Sequence, residues 1–219
     1  MTMASQDLKA RIMEAARKQP APSRREVAGR VTLTLVTAIV VPILGFIALG
    51  AIRPGPRPWS LIIATASGAF GIALAAVWTA FGRGGQMVGR ARTRLLAMTI
   101  AAPLTFVVWK LVLSGQYAHM TDAWPDRPGF RCFAFTFLLA AWPFLALSSI
   151  RRASDPTHPR ALGAALGVAT GTCAAVLVDL WCPVAHPGHL FLGHVLPIAI
   201  LGILGVWVGD RILSIRAKK

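Results

Sequence analysis

The chain has 219 residues, 55% of them hydrophobic and only 14% charged, with a mean hydropathy of +0.61. A soluble domain carries about 25% charged residues; here the apolar residues fall in long uncharged runs, which excludes an ordinary globular domain and indicates an integral membrane protein. The formal charge of +15 invites a nucleic-acid reading, but most Lys and Arg cluster at the ends of apolar runs, where charges orient membrane helices and meet anionic headgroups, so direct nucleic-acid binding is not expected.

Residues 1–30 read as a polar tail and 31–219 as the membrane domain. Within the tail, residues 5–18 predict a short amphipathic helix. Ser5 suits the N-cap, Asp7 the first turn, and Arg17 and Lys18 the last. Leu8, Ile12, Ala15 and Ala16 fall on one stripe of that helix. Pro20 and Pro22 then end it, since proline cannot continue the hydrogen-bond ladder. Two roles remain open for the stripe: docking in a partner's groove, or lying on the lipid surface.

Six apolar segments follow, at Val31–Ile52, Trp59–Phe81, Leu95–Leu113, Phe133–Ile150, Ala161–Leu180 and Leu190–Val208. The first is too long for the core of a signal peptide. Each is long enough to cross a hydrocarbon layer of about 30 Å, and in lipid each must be helical. The predicted fold is therefore all-α, an integral membrane bundle of six transmembrane helices. If the segments alternate across the bilayer, 18 of the 23 basic residues lie on the side of the two termini, including Arg83, Arg90, Arg92, Arg94, Arg151 and Arg152. The positive-inside rule then puts both termini in the cytoplasm. Gly163, Gly167 and Gly171, with Gly205 and Gly209, repeat at the spacing that lets helix backbones approach closely, and packing within the bundle is the expected use.

With that orientation the reactive residues sort to the outer face. Cys132 opens the fourth segment and Cys182 closes the fifth. His119, His186 and His189 lie outside and His194 near the outer end of the sixth segment, with Asp122, Asp126 and Asp179 as outward carboxylates. His158 alone falls on the cytoplasmic side, and Cys173, in mid-helix, reads as packing. Three readings of this cluster stay open. Cys132 and Cys182 form a redox pair or structural disulfide, closing a loop of about 50 residues worth roughly 4 kcal/mol in the chain-entropy model. Alternatively the two thiols bind a soft or borderline metal with His186, His189 or His194, although Cys-x3-His-x2-His-x4-His is not a standard zinc spacing. In the third, the imidazoles merely cap helix ends.

No paired-carboxylate site, Ser-His-Asp pattern or phosphate loop is visible, so an enzyme is not expected. Lys110 lies near enough to a segment end to snorkel, and Asp179 sits at one. The resulting lack of deep ionisable residues speaks against a pump or transporter.

The whole pattern resembles the NrsF-type membrane anti-sigma factors, six-helix proteins of bacterial inner membranes. The resemblance rests on the length, the short basic tail and the six segments. It rests also on Cys132 in Arg-Pro-Gly-Phe-Arg-Cys, and on Cys182 in Trp-Cys-Pro with the Gly193-His194 pair ahead of Pro197. The closing Gly-Ile-Leu-Gly-Val-Trp-Val-Gly-Asp-Arg-Ile-Leu is similar in style. The resemblance implies an extracytoplasmic-function sigma factor as partner, held through the tail helix around Leu8, Ile12, Met13 and Ala16. It implies Cys132 and Cys182 as sensors of oxidants or metals, with His186, His189 and His194 as modulators. No resident cofactor is implied; a transition-metal ion enters only as a candidate signal. The competing class is a small metal or solute permease that uses the outer Cys/His cluster as its entry site.

Overall fold

A backbone in hydrocarbon can satisfy its polar groups only within helices or a closed barrel, and this chain takes the first course. A computed structural model describes residues 14, 23–53, 57–82, 91–115, 128–152 and 157–214. Among them six helices are long and apolar enough to cross a membrane: α1 Arg24–Ala48, α2 Trp59–Phe81, α3 Arg92–Ser114, α4 Phe130–Ile150, α5 Pro159–Trp181 and α6 Pro187–Leu213. No strand forms among the described residues. Even the shortest, α4 with 21 residues, reaches about 30 Å. The all-α, six-helix membrane architecture is what the sequence predicts.

The helix ends depart from the apolar runs for local reasons. α1 begins at Arg24 rather than Val31 because Ser23 and Glu26 form a capping box: Glu26 N–H donates to Ser23 Oγ at 3.2 Å and Ser23 N–H to Glu26 Oε2 at 2.9 Å. It stops at Ala48 rather than Ile52 because the chain turns through Gly50 and Ala51, with φ of 98° and 53°. At the other end of the chain, α6 runs on past Val208 to Leu213. Hydropathy marks where lipid is; caps and turns decide where a helix ends.

The chain divides into two compact units, Met1–Thr34 and Leu35–Lys219. The predicted tail helix, with Leu8, Ile12, Met13 and Ala16, lies outside the described residues except for Glu14. Within the larger unit α5 is the axis, packed against α2, α3, α4 and α6. Its apolar window is 89% buried, against 17% for that of α1. The reason is composition, since α5 is built largely of Ala, Gly, Thr and Val, and small side chains let neighbours close in from every side. Gly163 lies against the Gly205 carbonyl, Gly167 against the Leu201 carbonyl, and Gly209 against that of Pro159, so α5 and α6 meet backbone to backbone. Large apolar side chains such as Ile63, Phe70, Trp78 and Ile203 point outward, as lipid requires. Cys173 is half-buried and lines an apolar recess of about 430 Å³ bounded by α2, α4, α5 and residues 35–43 of α1.

Candidate functional site

The site begins with a break in helical pitch. α6 opens with one ordinary turn whose N-cap, His186, accepts the Gly188 N–H through Nδ1 at 3.1 Å. The next five residues, Phe191–Val195, wind as a wider π-helical turn, a device common at functional sites because it re-aims side chains. That turn carries Gly193 and His194. Opposite it stands Gly129, just before α4, at φ 103°, a conformation only glycine adopts without strain. A Cβ on Gly129 would lie 2.9 Å from the His189 carbonyl oxygen, and one on Gly193 would lie 3.0 Å from Cys132 Cβ. Two glycines thus let the start of α4 press onto the widened turn of α6. Thr136 clips the contact, donating through Oγ1 to Cys132 O at 2.9 Å and standing 3.4 Å from Gly193 O.

This contact gathers four side chains. The sulfurs of Cys132 and Cys182 and a ring nitrogen each of His189 and His194 all lie within 4.8 Å of one another, and all four residues are buried. His189 Nε2 is 3.4 Å from Cys132 Sγ and 3.1 Å from Cys182 Sγ. His194 is fully buried between the rings of Phe106, at 6.1 Å, and His189, at 5.8 Å. Neither His194 nitrogen makes a hydrogen bond of standard geometry, although the ring stands close enough to the Cys182 thiol to interact with it. All three cysteines are free thiols. One residue beyond α5, the Cys182 thiol is held well below the usual thiol range, first by its hydrogen bond with Cys132 and then by His189 and His194, against the opposing effect of burial. The arrangement suits thiol chemistry or the capture of a thiophilic ion.

Of the predicted site residues, the structure therefore brings Cys132, Cys182, His189 and His194 together. His186 stands apart as a helix cap, the bland role foreseen for imidazoles. His119, Asp122 and Asp126 lie outside the described residues.

One sequence expectation is corrected here. Lys110 does not snorkel to the interface: it is buried, as is Asp179, and the two form a hydrogen-bonded ion pair between α3 and α5. The pair stands close enough to act electrostatically on Cys132 and His194. The signal was present in the sequence, because an ionisable residue inside an apolar run calls for a named partner. Arg57 was also missed. Its guanidinium donates to the carbonyls of Asp179 at 2.9 Å, Leu180 at 2.9 Å and Arg53 at 3.0 Å, closing the C-terminus of α5 with a positive charge. Burial pushes the Arg57 guanidinium below its ordinary value, while Asp179 and Cys182 oppose that shift. Arg53 stacks over the Trp181 ring at 4.7 Å, and Trp181 Nε1 donates to Leu49 O at 3.0 Å. The loop after α1 is thus stapled beside Cys182.

A family model described as negative regulator of sigma F, NrsF, matches residues 10–214. The chain belongs to the NrsF family. No curated protein and no solved structure matches it. NrsF membership makes the chain a negative regulator with a sigma factor as its partner, carried on six membrane-length helices. The NrsF match covers the start of α4, the end of α5 and the widened turn of α6, so all four clustered residues lie within it.

Proposed function

We propose that this NrsF-family chain is a non-enzymatic anti-sigma factor of the bacterial inner membrane. It holds an extracytoplasmic-function sigma factor through its cytoplasmic tail, residues 1–30, and releases it when a redox or metal signal reaches Cys132 and Cys182 on the periplasmic side. Family membership supports the regulatory role, and the charge asymmetry of the loops supports the orientation. The observation that carries the sensing role is the convergence of the two thiols from different helices, Cys132 at the start of α4 and Cys182 just past α5.

Bridging those sulfurs would draw α4 toward the α5–α6 junction. α5 is close-packed on four sides, with backbones in contact along α6, so it transmits a displacement rather than absorbing it. The displacement is thereby carried to the far ends of these helices. A coupling of about 1.4 kcal/mol changes sigma affinity tenfold, enough for a switch.

The test is capture of a tagged sigma factor by the detergent-solubilised chain. The full chain retains it and a chain lacking residues 1–30 does not; retention by the truncated chain would overturn the tail's role. A Cys132→Ser, Cys182→Ser double variant captures sigma but no longer lets go under thiol oxidants or thiophilic metals. Release equal to the parent under every inducer would refute the sensing role. The buried Lys110–Asp179 pair favours one second reading, a small metal or solute permease, since transport paths use such charges. Zinc uptake into vesicles holding the purified chain separates the two, because a regulator moves none.

A further inference from the structure

We infer that Cys132, Cys182, His189 and His194 form a four-coordinate binding site for a single borderline-to-soft divalent d10 cation of the zinc class. The regulatory use of such a site rests on the function proposed above; the binding itself does not.

Geometry comes first. With Zn–S near 2.3 Å and Zn–N near 2.0–2.1 Å, the ligand atoms of a tetrahedral zinc stand roughly 3.3–3.8 Å apart. His189 Nε2 already lies 3.4 and 3.1 Å from the two sulfurs, and no pair among the four ligand atoms exceeds 4.8 Å. Side-chain rotation of about 1 Å closes the set.

Chemistry selects the ion. Two thiols and two imidazoles are soft-to-borderline donors, and among the described residues no carboxylate of the kind that calcium or magnesium needs joins the cluster. Binding involves no redox change: both cysteines ligate as thiolates, any thiol proton leaves to solvent as its metal–sulfur bond forms, and two neutral imidazoles donate nitrogen lone pairs. The loaded centre, a dication with two thiolates, is electrically neutral, so its burial costs little, and Lys110 remains balanced by Asp179.

The independent sign of a ligand is His194. A fully buried imidazole with both nitrogens unpartnered is expensive to leave so. Metal ligation satisfies one nitrogen, and the π-helical turn that aims the ring gains a purpose.

The experiment uses the full chain in detergent with Co2+ as the optical probe and Zn2+ as competitor. Tetrahedral Co2+ bands with sulfur charge transfer should saturate at one equivalent and vanish on adding Zn2+. X-ray absorption of the zinc-loaded wild type should show two sulfur and two nitrogen neighbours. His189→Ala and His194→Ala should each weaken binding at least about 100-fold, since even outer residues around a metal are worth 10–100-fold, while His186→Ala leaves it unchanged. Octahedral Co2+ bands, a shell without sulfur, or affinity indifferent to both histidines would overturn the site. The wild-type spectra carry the decision even if a variant fails to fold. Loss of zinc binding with sigma capture intact removes this site alone, and zinc binding without sigma capture removes only the proposed function.

Discussion

Lys110 and Asp179 show how much one pair of side chains decides inside a membrane. Two charges buried within an apolar bundle are tolerable only as a pair, because each alone lacks both water and a counter-charge. Removing one partner should therefore hurt more than removing both. Asp179→Leu is expected to destabilise the bundle by roughly 3–5 kcal/mol, whereas Lys110→Met with Asp179→Leu should return to near the parent. Thermal unfolding of the three chains in one detergent measures this; a double variant as unstable as the sum of the singles would show that the pair is not coupled. The sequence held both residues in view, but Lys110 is near enough to the end of α3 that a snorkelling side chain and a buried one look alike until α5 is placed beside it.

At the scale of elements, the contact between α5 and α6 depends on the absence of side chains. A Cβ on Gly163 would overlap the Gly205 carbonyl, whereas one on Gly71, on the outer face of α2, meets nothing within 4 Å. Gly163→Val should then force the two helices apart and lower folded yield and melting temperature sharply, while Gly71→Val changes neither by much. Equal tolerance at both positions would mean that the backbone contact carries no packing energy. The small-residue spacing was legible in one dimension and correctly pointed to packing within the bundle. That α5 is the axis was not, since a run of Ala and Gly states closeness without naming the neighbours. The role of Gly129 was likewise hidden: it reads as an unremarked turn residue until α6 presents Gly193 against it.

For the whole molecule, the charge asymmetry makes a topological prediction. Alkaline phosphatase fused after residue 121 should be active, and a fluorescent protein fused at the C-terminus should fluoresce, placing that loop outside and the terminus inside. The reverse pattern would put the Cys/His cluster at the cytoplasmic end and overturn the proposal that it detects outside signals.

The sequence by itself determined the class of molecule and the number of spans, because a transmembrane segment is a local property: about 20 apolar residues in a row suffice. It also nominated Cys132 and Cys182, through the resemblance and their places at segment ends. Only the tertiary structure decided the membership of the cluster, taking in His189 and His194 and leaving His186 as a cap. It alone disclosed the pairing of Lys110 with Asp179 and the closure of α5 by Arg57. Those are meetings between residues far apart in the chain, set by which helix faces touch and where a π-helical turn redirects a ring, and no local pattern encodes them.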